Sequence, residues 1–158
     1  MQPGELTIAR HGQAWCNHDQ TIGGPATCRG LTPTGRTQAG RLAVRLAADH
    51  RRHPITALYT SPLPRTRQTA DIVAAAVGLP ATVVDNLREP DYGTADGARW
   101  ADVIAAFGAA PALHLDRPIR RRPDRAHHLA AATDLLAAPR RRAALGVDPP
   151  QRHRPPHR

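Results

Sequence analysis

At 158 residues, with 41% apolar side chains but only 3% aromatics, the chain is the size of one domain, long enough to bury a core of aliphatic residues and alanine. No run approaches the roughly 20 apolar residues of a membrane span, and the start MQPGELTIARHG lacks the basic-then-apolar pattern of a signal peptide. Its two cysteines, Cys16 and Cys28, make neither a disulfide framework nor a zinc site, so cytoplasm is the expected compartment, with no membrane partner.

Residues 5–9 (ELTIA) form a short apolar run that ends at Arg10-His11-Gly12, the pattern of a strand entering a loop. Residues 13–31 contain Gly23-Gly24-Pro25 and no periodicity, and are expected to be a loop. Thr32-Pro33 opens a helix, with Thr as N-cap and Pro at the first helical position. Ala39, Leu42, Ala43, Leu46 and Ala47 form its apolar face, and it ends around residues 50–54.

Residues 56–60 (TALYT) are the second strand candidate. A helix follows from near Arg65, with Thr69, Ile72, Val73, Ala76 and Val77 on its apolar face; Gly78 and Pro80 stop it. Residues 81–84 (ATVV) are a third strand, residues 86–98 a loop, and Trp100, Val103, Ile104 and Phe107 mark a short helix ended by Gly108.

The β-α-β-α-β-α order predicts an α/β layer with a largely parallel sheet. Ligands collect at the carboxyl ends of the strands in such sheets. Arg10-His11, Ser61 to Arg65, and Glu89 each follow a predicted strand, so three segments deliver charged groups to one edge.

After residue 110 the character changes. Residues 1–110 hold eleven arginines against nine acidic residues, whereas residues 111–158 hold eleven against four, so the net charge of +9 belongs mainly to the tail. The tail has eight prolines, the runs Arg120-Arg121-Arg122 and Arg140-Arg141-Arg142, and only Ile119 and Val147 as β-branched aliphatics. One helix over residues 126–138 and no strand are expected there, and the end PPQRHRPPHR is expected to be disordered. Such a tail can meet nucleic-acid phosphates non-specifically, but it lacks the interleaved aromatics that stack bases. A nucleic-acid partner is therefore not expected.

Five ordered blocks carry a family resemblance over about residues 4–116. They are Arg10-His11-Gly12 with Asn17; Leu31-Thr32-Pro33-Thr34-Gly35 with Gln38-Ala39; Ser61-Pro62-Leu63-Pro64-Arg65-Thr66-Arg67-Gln68-Thr69-Ala70; Leu87-Arg88-Glu89; and Gly93 with Asp96-Gly97. Together they resemble the histidine phosphatase superfamily, also called phosphoglycerate mutase-like. The resemblance implies a three-layer α/β/α sandwich, incomplete at its C-terminal end. Residues 1–116 are then the N-terminal part of a histidine phosphatase-like domain, and 117–158 an Arg/Pro-rich tail.

By resemblance, His11 is the nucleophile that takes the phosphoryl group, and Glu89 is the general acid and then the base. Arg10 and Arg65 clamp phosphate oxygens through their guanidinium forks, and Asn17 and Gln13 bind phosphate beside them. The arginines supply the positive charge, so neither a metal nor another cofactor is called for. The expected activity is hydrolysis of a small phosphorylated metabolite; the oligomeric state is left open. A mutase-type phosphotransferase is the alternative within the family, although Gln13-Ala14 departs from the glutamate-plus-hydroxyl pattern associated with mutases.

One family element is missing. The resemblance implies a second histidine at the end of a later core strand, but His114, His127, His128, His153 and His157 neither follow a predicted strand nor adjoin a glycine. Loss of one preorganised donor costs on the order of 100- to 1,000-fold in rate. An inactive remnant is therefore a further alternative. The onset of Arg, Pro, His and Ala runs near residues 117–120 suggests a frameshifted or truncated member.

Overall fold

The computed structural model describes residues 5–89, 92–107 and 144–145. The elements in order are β1 (Ile8–Ala9), α1 (Trp15–His18), α2 (Pro33–Arg52), β2 (Leu58–Thr60), α3 (Pro64–Val77), β3 (Ala81–Val83), α4 (Trp100–Phe107) and β4 (Ala144–Leu145). Single 3-10 turns lie at Asp85–Leu87 and Gly93–Ala95.

Local chemistry sets the helix limits. The Thr32 hydroxyl accepts the Gly35 N–H at 3.0 Å, and Pro33 takes the first position of α2. Gly78 ends α3 with φ +71°, a left-handed conformation that a side chain resists.

Both strand pairs are parallel. β2 pairs with β3 in the register Leu58–Ala81, Tyr59–Thr82 and Thr60–Val83. β1 pairs with β4 in the register Ile8–Ala144 and Ala9–Leu145, and β4 also lies beside β2. β2 is buried on both faces, as the inner strand of a parallel sheet is. Leu58 joins Ala43, Leu46, Ile55, Val73 and Val77 in the cluster between the sheet and helices α2 and α3. Tyr59, one residue on, points to the opposite face and packs with Leu87, Leu6, Ala57 and Val84.

The structure departs from the sequence reading in three places. First, β4 lies in the tail, where no strand was expected. Two residues are too few to show alternation, and Ala144-Leu145 sits in an uncharged stretch between Arg142 and Asp148. What places the strand is the ladder: the N–H and C=O groups of β1 need partners. Second, the 13–31 segment is not simply a loop. It contains α1, and Ala14 bridges Leu31. Third, the buried face of α3 includes Ala70, with no exposure, whereas Ala76 is exposed. The proposed helix over residues 126–138 lies outside the described residues.

Among the described residues, no helix is long and apolar enough to cross a membrane. Leu58 is buried between two helices and a neighbouring strand, so Leu58→Ala should cost about 2–5 kcal/mol of stability. Urea denaturation followed by circular dichroism measures this; an unchanged midpoint would show that this cluster does not hold the sheet to the helices.

Candidate active site

The loop after β1 carries His11, which is 6% exposed. Its Nδ1 lies 2.5 Å from the Gly12 carbonyl, which can only accept, so Nδ1 is the donor in that contact. The loop is pressed onto the first turn of α2. A Cβ on Gly12 would overlap the Gly35 carbonyl, and a Cβ on Gly35 would overlap the Gln13 carbonyl. The two motif glycines are thus needed for one close approach between backbones.

The same loop is tied to α3. The Gly12 N–H donates to Thr69 Oγ1 at 3.2 Å, and Thr69 Oγ1 donates to the Arg65 carbonyl at 2.9 Å. Arg65, the second residue of α3, has no solvent exposure. Its Nη1 donates to the Gly23 carbonyl at 2.5 Å and lies 3.5 Å from Cys28 Sγ. Its Nη2 lies 3.3 Å from Glu89 Oε2, an ion pair whose side chains are 0% and 7% exposed. Tyr92 donates its hydroxyl to the same Oε2 at 3.2 Å. An arginine at the positive end of a helix requires a nearby anion, and here that anion is Glu89.

The other predicted residues are placed differently. Arg10 is exposed and lines, with His11, Gln38 and Arg45, a cavity of about 300 Å3 beside β1; Arg65 and Glu89 are not in that lining. Gln13 Oε1 accepts from the Thr32 hydroxyl at 2.8 Å, and the Gln13 N–H donates to Gln38 Oε1 at 2.8 Å. Gln13 therefore fastens the loop to α2. Asn17 Oδ1 accepts the Ala14 N–H at 2.9 Å, which leaves its amide N–H groups as donors for a ligand. The structure pairs Arg65 with Glu89, and it ties the backbone of the His11 loop to that of α3 through Thr69.

The sequence reading did not single out Thr69, Tyr92 or Gly23 as site residues. Thr69 was visible as a hydroxyl on an otherwise apolar helix face, but the Gly23 carbonyl carries no side-chain signal. Asp96 was seen only as part of a motif. Its carboxylate accepts the N–H of Gly24 at 2.7 Å and of Ala26 at 2.8 Å, and the Thr27 hydroxyl. Burial raises its pKa, and the hydrogen bonds from Thr27, Ala26 and Gly24 outweigh that effect, holding the carboxyl below its ordinary value. Among the described residues, no three His, Cys, Asp or Glu side chains are grouped to hold a metal ion.

Residues 6–143 match the histidine phosphatase superfamily (branch 1). The chain is similar to the bifunctional protein Rv2228c of Mycobacterium tuberculosis, 36% identical over 112 residues, which are 71% of this chain and 29% of that one. It is also similar to the 2-carboxy-D-arabinitol-1-phosphatase of Triticum aestivum, 40% identical over 68 residues, 43% of this chain and 13% of that one. The chain thus spans under a third of the length of these curated relatives. The fold is similar to that of a mycobacterial glucosyl-3-phosphoglycerate phosphatase, with TM-score 0.68 and 24% identity, over 89% of this chain and 73% of that one.

Removing the charge of Glu89 strands the buried guanidinium. Glu89→Gln should lose about 3–5 kcal/mol of stability, as breaking one side of a buried pair does; a loss below about 1 kcal/mol by urea denaturation would show that Glu89 does not balance Arg65. Asp96 gives a pH signature. With its folded value depressed, it stabilises the fold fully above about pH 4 and loses that contribution as the pH falls through the folded value. The gap in Tm between the parent and Asp96→Asn should therefore close on acidification from about pH 6 to about pH 3. A gap that stays constant would contradict it.

Proposed function

We propose that this chain, which belongs to the histidine phosphatase superfamily, branch 1, is a phosphomonoester hydrolase acting through a phosphohistidine on His11. The observation that supports this best is the hydrogen bond from His11 Nδ1 to the Gly12 carbonyl, which assigns the nucleophile's role to Nε2, on a loop tied through Thr69 to the backbone of Arg65, the partner of Glu89. Phosphatases are among the chain's relatives.

In the first step, His11 Nε2 attacks phosphorus, and the bond from phosphorus to the ester oxygen breaks. Glu89, protonated, gives its proton to the departing alkoxide. Arg65 stabilises the negative charge on the equatorial oxygens, with Arg10 at the open side and the amide of Asn17 as a further donor. A phosphoryl anion at Arg65 competes with Glu89 for the guanidinium, so substrate binding itself loosens the ion pair and lets Glu89 carry a proton. In the second step, Glu89 takes a proton from water, the water oxygen attacks the phosphohistidine, and inorganic phosphate leaves with His11 restored. A small phosphorylated metabolite is the substrate class.

A second reading is favoured by one specific observation. The sequence after β4 is Gly146-Val147-Asp148, so no histidine follows the strand beside β1. On that reading the chain binds phosphate without turning it over.

Hydrolysis of an aryl phosphate by the purified protein, beside His11→Ala and Glu89→Gln, tests both. The expected result is activity in the parent, loss to background in His11→Ala, and an acid-labile, base-stable phosphoryl label on the parent after quenching. A parent that binds phosphate yet neither turns over nor takes the label would establish the second reading instead.

A further inference from the structure

We infer that Asp96 is a positioning residue for Arg65: by gathering the 24–27 backbone and the Thr27 hydroxyl, it fixes the Gly23 carbonyl that orients the guanidinium. The functional consequence rests on the phosphatase reading; the geometric link does not. Gly23 and Gly24 are adjacent. The Gly24 N–H is bound to Asp96 Oδ1 at 2.7 Å, while the Gly23 carbonyl receives Arg65 Nη1 at 2.5 Å. These two contacts share one peptide group, the C=O of Gly23 and the N–H of Gly24. Rotating that peptide to release one contact therefore breaks the other.

Further contacts hold the two segments in register. The Ile22 N–H donates to the Ala98 carbonyl at 2.9 Å, and the Gly97 N–H donates to the Ile22 carbonyl at 2.8 Å. Thr21 bridges Arg99 antiparallel, and the Trp100 N–H donates to the Gln20 carbonyl at 3.0 Å. Asp96 closes the far side of this ladder, tying Ala26 and Thr27 to the 93–100 segment. The carboxylate accepts from three successive parts of the loop, Gly24, Ala26 and Thr27. A carboxylate can accept all three; an amide in its place turns one acceptor oxygen into a donor that faces N–H groups.

The consequence reaches Arg65 and, through it, Glu89. With the Gly23 carbonyl fixed, Nη1 is held and Nη2 is directed at Glu89 Oε2. With the loop released, the guanidinium loses one of its buried acceptors and swings within its site. A displacement of that kind leaves the fold standing but misplaces the charge meant for a phosphoryl oxygen.

The test compares the full chain with Asp96→Asn, Thr27→Val, Arg65→Gln and the double variant Asp96→Asn/Arg65→Gln, using inorganic phosphate as the probe in calorimetry. Nitrogen-15 NMR of the Arg65 guanidinium, whose N–H protons exchange slowly when buried and bound, is the second readout. The expected result is that Asp96→Asn weakens phosphate binding about 10- to 100-fold, and that this loss vanishes in the Arg65→Gln background. The slow Arg65 N–H signals should be lost in Asp96→Asn and weakened in Thr27→Val. Thr27→Val, which removes one donor only, carries the comparison if Asp96→Asn does not fold. Arg65 signals identical in the parent and in the variants overturn the inference, as does a phosphate loss of equal size with and without Arg65. If the parent binds no phosphate but the Arg65 signals still respond to Asp96→Asn, the positioning role stands and the phosphatase reading falls.

Discussion

A guanidinium with no solvent exposure has to find an acceptor for its N–H groups inside the protein, because burying the charge unpaired costs several kcal/mol. Arg65 meets this constraint with the Gly23 carbonyl, Cys28 Sγ and Glu89. The partners come from two distant parts of the chain. The 20–28 segment must fold back over α3, and the segment after β3 must bring Glu89 to the start of that helix. The register of β2 with β3, Leu58 to Ala81 through Thr60 to Val83, sets where α3 and the segment after β3 begin. The arrangement around Arg65 thus links two loops to the start of α3 that the sheet alone leaves apart.

His11, the proposed nucleophile, is positioned by a different kind of contact. His11 is held by close packing and neutral hydrogen bonds: Gly12 against Gly35, Gln13 on Thr32 and Gln38, and the Gly12 N–H on Thr69. Thr69 joins the two halves, since its hydroxyl accepts from the histidine loop and donates to the Arg65 carbonyl. On the proposed reading the split suits phosphoryl chemistry, in which a positioned nucleophile has to meet a cation whose counter-ion can be exchanged for substrate.

Much of this was legible in the residues. Thr32-Pro33 and Gly78 read directly as helix ends because capping is a local affair of one side chain and the next few N–H groups. The apolar faces of α2 and α3 read nearly as well. The one slip, Ala76 for Ala70, arose because alanine is indifferent to burial and leaves the rotation of a helix poorly marked. His11, Arg65 and Glu89 were legible as residues that follow strands. β4 was not, because two residues carry no periodicity and their pairing with β1 is a long-range event.

The sequence by itself determined the family, the α/β order, the helix limits and the residue types at the site. Those depend on local propensity, spacing and side-chain chemistry, all present in the linear chain. Only the tertiary structure decided which partner each group takes: that Glu89 is the anion for Arg65, that Gln13 serves α2, that Thr69 holds the Gly12 N–H to α3, and that Asp96 fastens the loop whose carbonyl receives Arg65. These are contacts between residues 19 to 72 positions apart. The physical reason is that a donor's or an acceptor's capacity is written in its own residue, whereas its satisfaction depends on what packing brings within 3 Å or so.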